Sequence, residues 1–187
     1  TMRLTKAVIN TSNLKKNFLS IRKKVGNVKV MAVVKADAYG HGVRIVVDEL
    51  NSLGNKRPDY FAVATADEGI ELRKLKIKQP ILIFDPVDKY QVYKFLNFNL
   101  IPSISENEHL NILLKEKKKL KSTKKILVHV KIDTGMNRLG VDYKEAIPFI
   151  DTINSNSNFI IDGIFTHFAT SDEAGSDYAK LQIKRFN

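Results

Sequence analysis

Six short apolar runs alternate along this chain with stretches whose apolar residues recur at helical spacing. The runs Val28–Lys35, Tyr60–Ala64, Ile81–Phe84, Leu100–Ile104, Lys124–Ile132 and Phe159–Phe165 are the size of strands. The patterns between and around them predict helices over Asn13–Val25, Val43–Leu53, Ala66–Leu75, Val87–Asn97, Ser105–Leu120, Tyr143–Asn154 and Ser176–Phe186. Thr11 or Ser12 is placed to cap the first, Thr65 the third, and Ser105 with Glu108 reads as a cap-plus-carboxylate start. Gly54 reads as a helix stop. Pro148 should kink its helix or delay the start. A strand–helix unit repeated about six times requires a parallel sheet with right-handed crossovers. A doubly wound open sheet and a (β/α)8 barrel both satisfy the pattern.

The first full run carries the clearest chemical signal. Val30–Val34 is valine-rich and does not alternate, as expected of a strand covered on both faces. It ends in Lys35, a residue type seldom held away from water without a task. Desolvation there disfavours the ammonium form, and a positioned neutral amine is what a Schiff base with a carbonyl compound requires. Gly40 and Gly42 suit a tight loop in which backbone approaches a ligand or takes positive φ. Arg138 and His167 also follow predicted strand ends, where α/β folds build their sites.

Composition narrows the field. There is no cysteine, so disulfides and thiolate metal sites are excluded, which fits a cytoplasmic protein. No signal-peptide core and no apolar run of about 18 residues is present, so neither export nor a membrane span is expected. Neither a Gly-x-Gly-x-x-Gly nor a Gly-Lys-Ser/Thr loop occurs, which disfavours a nucleotide site. The four histidines are scattered and predict no metal centre. The net charge of +11 raises nucleic acid as a partner. Lys115–Lys125, with seven lysines and one glutamate, carries much of that excess without interleaved aromatics, and reads as a solvated surface.

Three blocks resemble bacterial alanine racemases, pyridoxal-phosphate enzymes of fold-type III. They are Val33–Gly42 (Val-Val-Lys-Ala-Asp-Ala-Tyr-Gly-His-Gly), Val130–Gly140 and Gly163–Ala169. The resemblance implies the barrel rather than the open sheet. It implies pyridoxal 5′-phosphate on Lys35, with that lysine also exchanging a proton on one face of the substrate. It implies a phosphate contact from Tyr39, a substrate-carboxylate contact from Arg138, and His167 beside the pyridine ring. Lys131 matches a position that is often an N-carboxylated lysine holding the arginine. Asp37 and His41 match the motif but are expected only to shape the loop. The implied parent enzyme interconverts L- and D-alanine for peptidoglycan and is a homodimer, with no nucleic-acid or membrane partner.

A barrel needs eight strands and about 250 residues. Six strands in 187 residues therefore read as residues 1–187 of an incomplete N-terminal barrel, truncated after about six βα units, with the family's C-terminal β-domain absent. That domain supplies the opposite-face tyrosine, so this polypeptide alone is expected to racemise poorly or not at all. Alternatives are a serine or broad-specificity amino-acid racemase, and a non-catalytic pyridoxal-phosphate-binding barrel protein.

Overall fold

The computed structural model describes residues 6–187. Helices and parallel strands alternate, in two compact units, one ending at Ile81 and the other running Leu82–Asn187.

In the first unit, helix α1 (Thr11–Val25) starts earlier than predicted. Asn10, not Thr11 or Ser12, is the cap, its Oδ1 accepting the Asn13 N–H at 2.9 Å. Strand β1 (Met31–Val33) pairs in parallel with β2 (Tyr60–Val63), Ala32 opposite Phe61. The predicted coverage of β1 on both faces is not met. Val33 is 37% exposed, and among the described residues of this unit β2 is its strand neighbour. The strand is also shorter than Val28–Lys35, because the backbone leaves extended geometry at Val34. Helix α2 (Val43–Asn51) buries Val43, Val46, Val47 and Leu50. It ends before Gly54, which sits instead in a 3₁₀ turn, Gly54–Lys56. Helix α3 (Ala66–Lys74) follows β2 and opens with Thr65 and Glu68 as a reciprocal capping box.

Strand β3 (Ile81–Ile83) lies at the division. In the second unit its Leu82 and Ile83 pair in parallel with Ile101 and Pro102 of β4 (Ile101–Ile104). Next come β5 (Ile126–Asp133), which pairs in parallel with β4, and a two-residue strand β6 (Val141–Asp142) that the sequence reading missed. Strand β7 (Phe159–Phe165) pairs in parallel with β5, Lys131 opposite Phe165. Of the helix predicted over Val87–Asn97, only α4 (Val92–Phe98) forms. Asp88 Oδ1 accepts the Tyr90 N–H at 2.6 Å and holds the preceding residues in a turn. Helix α5 (Asn107–Lys119) begins without the predicted serine cap, since its N-cap is Glu106 with no side-chain bond. The Ser105 N–H instead meets His109 Nδ1 at 3.3 Å. Pro148 is the third residue of α6 (Ala146–Asn154), in the first turn, where an N–H has no helical partner to lose. Helix α7 (Asp177–Phe186) is capped by Ser176.

Candidate active site

Lys35 is half-buried at the end of β1, and the chain beyond it does something L-residues rarely do. Ala36, Asp37, Ala38 and Tyr39 all have positive φ, between 51° and 56°, making one turn of left-handed helix. Each such residue costs roughly 1–2 kcal/mol, so the turn persists only where its surroundings hold it. Most of the hold is local and polar. Ala38 is buried and its N–H donates to the Val34 carbonyl at 3.0 Å. Asp37 Oδ1 accepts the Val43 N–H at 2.6 Å and so caps α2, whose own N-cap, Gly42, has no side chain. His41 Nδ1 lies 2.8 Å from the Ala38 carbonyl. Asp37 and His41 thus engage the loop's own backbone, the loop-shaping part read for them. Gly40 and Gly42 take φ of 79° and 85°, as the sequence suggested. The turn sets the Tyr39 ring, 59% exposed, with its centroid 6.0 Å from Lys35 Nζ.

In the second unit, Lys131 is buried, its Nζ 5.8 Å from the Phe165 ring centroid on the neighbouring strand. One residue before it but one, His129 is also buried, with Nε2 3.1 Å from Asp162 Oδ2. The loop after β5 carries Arg138, which is exposed. Asp133 Oδ1 shapes that loop by accepting the N–H groups of Gly135 (2.8 Å) and Asn137 (3.1 Å). Asn137 takes φ of 55°, the turn conformation its side chain tolerates. The loop after β7 carries His167, also exposed. The structure therefore groups Lys35 with Tyr39 in one unit, and Lys131, Arg138 and His167 in the other.

The sequence reading missed what ties the two loops of the second unit. Gln182 of α7 is completely buried. Its Nε2 donates to Thr134 Oγ1 and to the His167 carbonyl, both at 3.0 Å, and its Oε1 accepts the Ala169 N–H at 2.9 Å. Thr134 and Thr166 hydroxyls meet at 2.8 Å. Tyr178 OH donates to the Gly135 carbonyl, and Arg185 Nη1 to the Thr134 carbonyl. The signal was available: Tyr178, Gln182 and Arg185 fall on one helical face. A polar stripe normally faces water, whereas here Gln182 is fully buried while Leu181, Ile183 and Phe186 are exposed.

Comparison with known proteins decides the family. Residues 9–187 match the model described as alanine racemase, N-terminal domain. This chain belongs to that family. An alanine racemase of Halothermothrix orenii is 41% identical over 185 residues, spanning 98% of this chain and 48% of the relative. One from Carboxydothermus hydrogenoformans is 40% identical over 187 residues, spanning 100% and 49%. The solved alanine racemase of Clostridium difficile 630 superposes with a TM-score of 0.85 at 33% identity, covering 94% of this chain and 45% of that one. The fold is thus the parallel α/β barrel fold of the alanine racemase N-terminal domain, and the chain spans about half the length of the curated relatives it matches. Among the described residues there is no group of three or more His, Cys, Asp or Glu able to hold a metal ion, and no helix long and apolar enough to cross a membrane.

Proposed function

We propose that this chain supplies the cofactor-binding half of a pyridoxal-phosphate-dependent alanine racemase, the whole enzyme interconverting L- and D-alanine for peptidoglycan as a cytoplasmic homodimer. The observation that carries the reading is Lys35, leaving a parallel strand end into a left-handed turn that sets a phenol beside it. The donor set suits the cofactor: a primary amine for its aldehyde, and a phenol hydroxyl able to donate to its phosphate. When bound, pyridoxal phosphate supplies an electron sink for the charge left on the substrate α-carbon.

The chain's own residues do the rest. Lys35 Nζ would hold the cofactor and would carry the α-proton on one face of the substrate. Tyr39 OH donates to a phosphate oxygen. The Arg138 guanidinium, a planar fork, binds the substrate carboxylate. His167 helps hold the pyridine ring. Lys131 is buried with its amine over Phe165, and N-carboxylation of that amine would give Arg138 an anionic partner.

The test is covalent trapping. The chain is mixed with a substoichiometric amount of pyridoxal 5′-phosphate, reduced with borohydride and mapped by peptide mass. Preferential label on Lys35 is expected, and Lys35→Ala should abolish it without a new preferred site. Label spread evenly over the lysines of the unsubstituted chain would overturn the assignment.

A further inference from the structure

A capping box asks one oxygen of its acidic member, and glutamine can serve there as well as glutamate. Glu68 does more. Its Oε2 accepts the N–H groups of Ala64 (2.8 Å) and Thr65 (3.1 Å) at the start of α3. Its Oε1 faces another segment and accepts the N–H of Ala36 at 2.7 Å. Ala36 is joined to Lys35 by the peptide bond that enters the left-handed turn. Beyond it the turn is held by bonds from Ala38, His41, Gly42 and Asp37, whereas this first N–H is held by Glu68 alone among the bonds described.

We propose that Glu68 is a positioning residue for Lys35, its carboxylate fixing the Lys35–Ala36 peptide and with it the direction in which the lysine side chain leaves β1. The chemistry requires a carboxylate. Three N–H donors from two segments converge on two oxygens, and an ionised carboxylate offers acceptors at both. A carboxamide has one acceptor oxygen; glutamine keeps it on the two N–H groups of the cap, as capping boxes allow, and so turns its NH2 toward the Ala36 N–H. The consequence for labelling rests on the proposed role of Lys35; the hold on Ala36 does not.

Three chains decide it: the unsubstituted protein, Glu68→Gln, and Thr65→Ala, which removes the cap hydroxyl and leaves the carboxylate. Amide hydrogen exchange is read at Ala36, and borohydride trapping with pyridoxal 5′-phosphate is read at Lys35. In Glu68→Gln, Ala36 should exchange about fivefold faster or more, the loss of one net hydrogen bond. Selectivity for Lys35 over the other lysines should drop with it. Thr65→Ala should lower the melting temperature yet leave both site readings unchanged. Unchanged Ala36 exchange in Glu68→Gln, or the same losses in Thr65→Ala, overturns the proposal. An unsubstituted chain that does not favour Lys35 overturns the cofactor assignment instead, and Ala36 exchange still decides the role of Glu68.

Discussion

Gln182 Nε2 donates to Thr134 Oγ1 at 3.0 Å with the amide wholly out of solvent, joining α7 to the loop that carries Arg138. The same nitrogen reaches the His167 carbonyl, so one side chain binds the segments after β5 and β7 together. Gln182→Leu fills similar space but leaves the His167 carbonyl and the Ala169 N–H short of a partner, while the Thr134 hydroxyl keeps Thr166. The expected loss is on the order of 1–3 kcal/mol for each group that water cannot reach. Urea denaturation of the two chains measures it, and equal midpoints would show the network to be dispensable.

Gly140 and Gly163 should differ in how badly they tolerate a methyl group. A Cβ at Gly140 would lie 2.5 Å from the Asp133 backbone nitrogen, and its φ of 138° is itself strained for alanine. Backbone cannot step aside there without breaking the β5–β6 pairing of Asp133 with Asp142. A Cβ at Gly163 would lie 2.6 Å from His129 Cε1, a side-chain ring that can move. Both substitutions destabilise, Gly140→Ala by more, each within the roughly 1–3 kcal/mol or above expected of overpacking. Thermal melts rank them; the reverse order would contradict the contacts.

Stability should fall as pH drops through the range in which histidine ordinarily titrates. Burial pushes His109 below its usual value of 6.5, against the opposing pull of Glu106 and Glu108. Its Nδ1 takes the Ser105 N–H, which leaves the proton of the neutral ring on Nε2, 3.0 Å from Glu106. Between the folded and unfolded pKa values the unfolded chain holds the extra proton. Stability is therefore complete above about 6.5, declines below it, and levels off under the folded value. His109→Asn should flatten that limb in unfolding free energies measured from pH 7.5 to 5.

A second, more acidic limb belongs to Asp59. The Val30 N–H, bonded at 2.7 Å, and Arg22, also at 2.7 Å, hold its carboxyl below the usual value. This stability is present above the unfolded pKa and is lost as pH falls through the folded one. Asp59→Asn should lower stability at neutral pH and leave less acid dependence below pH 4, as read by circular dichroism.

If the proposed role of Lys35 holds, the 187-residue chain should trap pyridoxal phosphate on Lys35 yet convert L-alanine to D-alanine poorly, because Lys35 would serve one face of the α-carbon and a second acid–base group is needed on the other. A chiral amino-acid assay with added cofactor tests this. Robust turnover would mean that the second group lies within these residues.

The parts of the candidate site were legible as sequence features because they sit at strand ends and in contiguous blocks. Lys35, Tyr39, Arg138 and His167 were each singled out from local sequence, and so was Thr65 as a helix cap, though not the reciprocal bond from Glu68 that completes its capping box. The left-handed turn was not. Ala36 and Ala38 are among the best right-handed helix formers, and no local preference predicts four successive positive φ values. Nor was the helix end at Asn51, or the early cap at Asn10, where several capping residues competed within three positions.

The amino-acid sequence by itself determined the alternation of strand and helix, the parallel pairing it forces, and which residue types stand at the strand ends, since periodicity and capping are properties of neighbouring residues. Tertiary structure alone decided that Glu68 would reach Ala36, that Gln182 would be buried while Leu181 and Ile183 stay exposed, and that four residues after Lys35 would turn left-handed. Those outcomes depend on hydrogen-bond partners that are 13 to 48 positions distant in the chain or on which helix face meets a strand end, and a strained backbone survives only where such partners hold it.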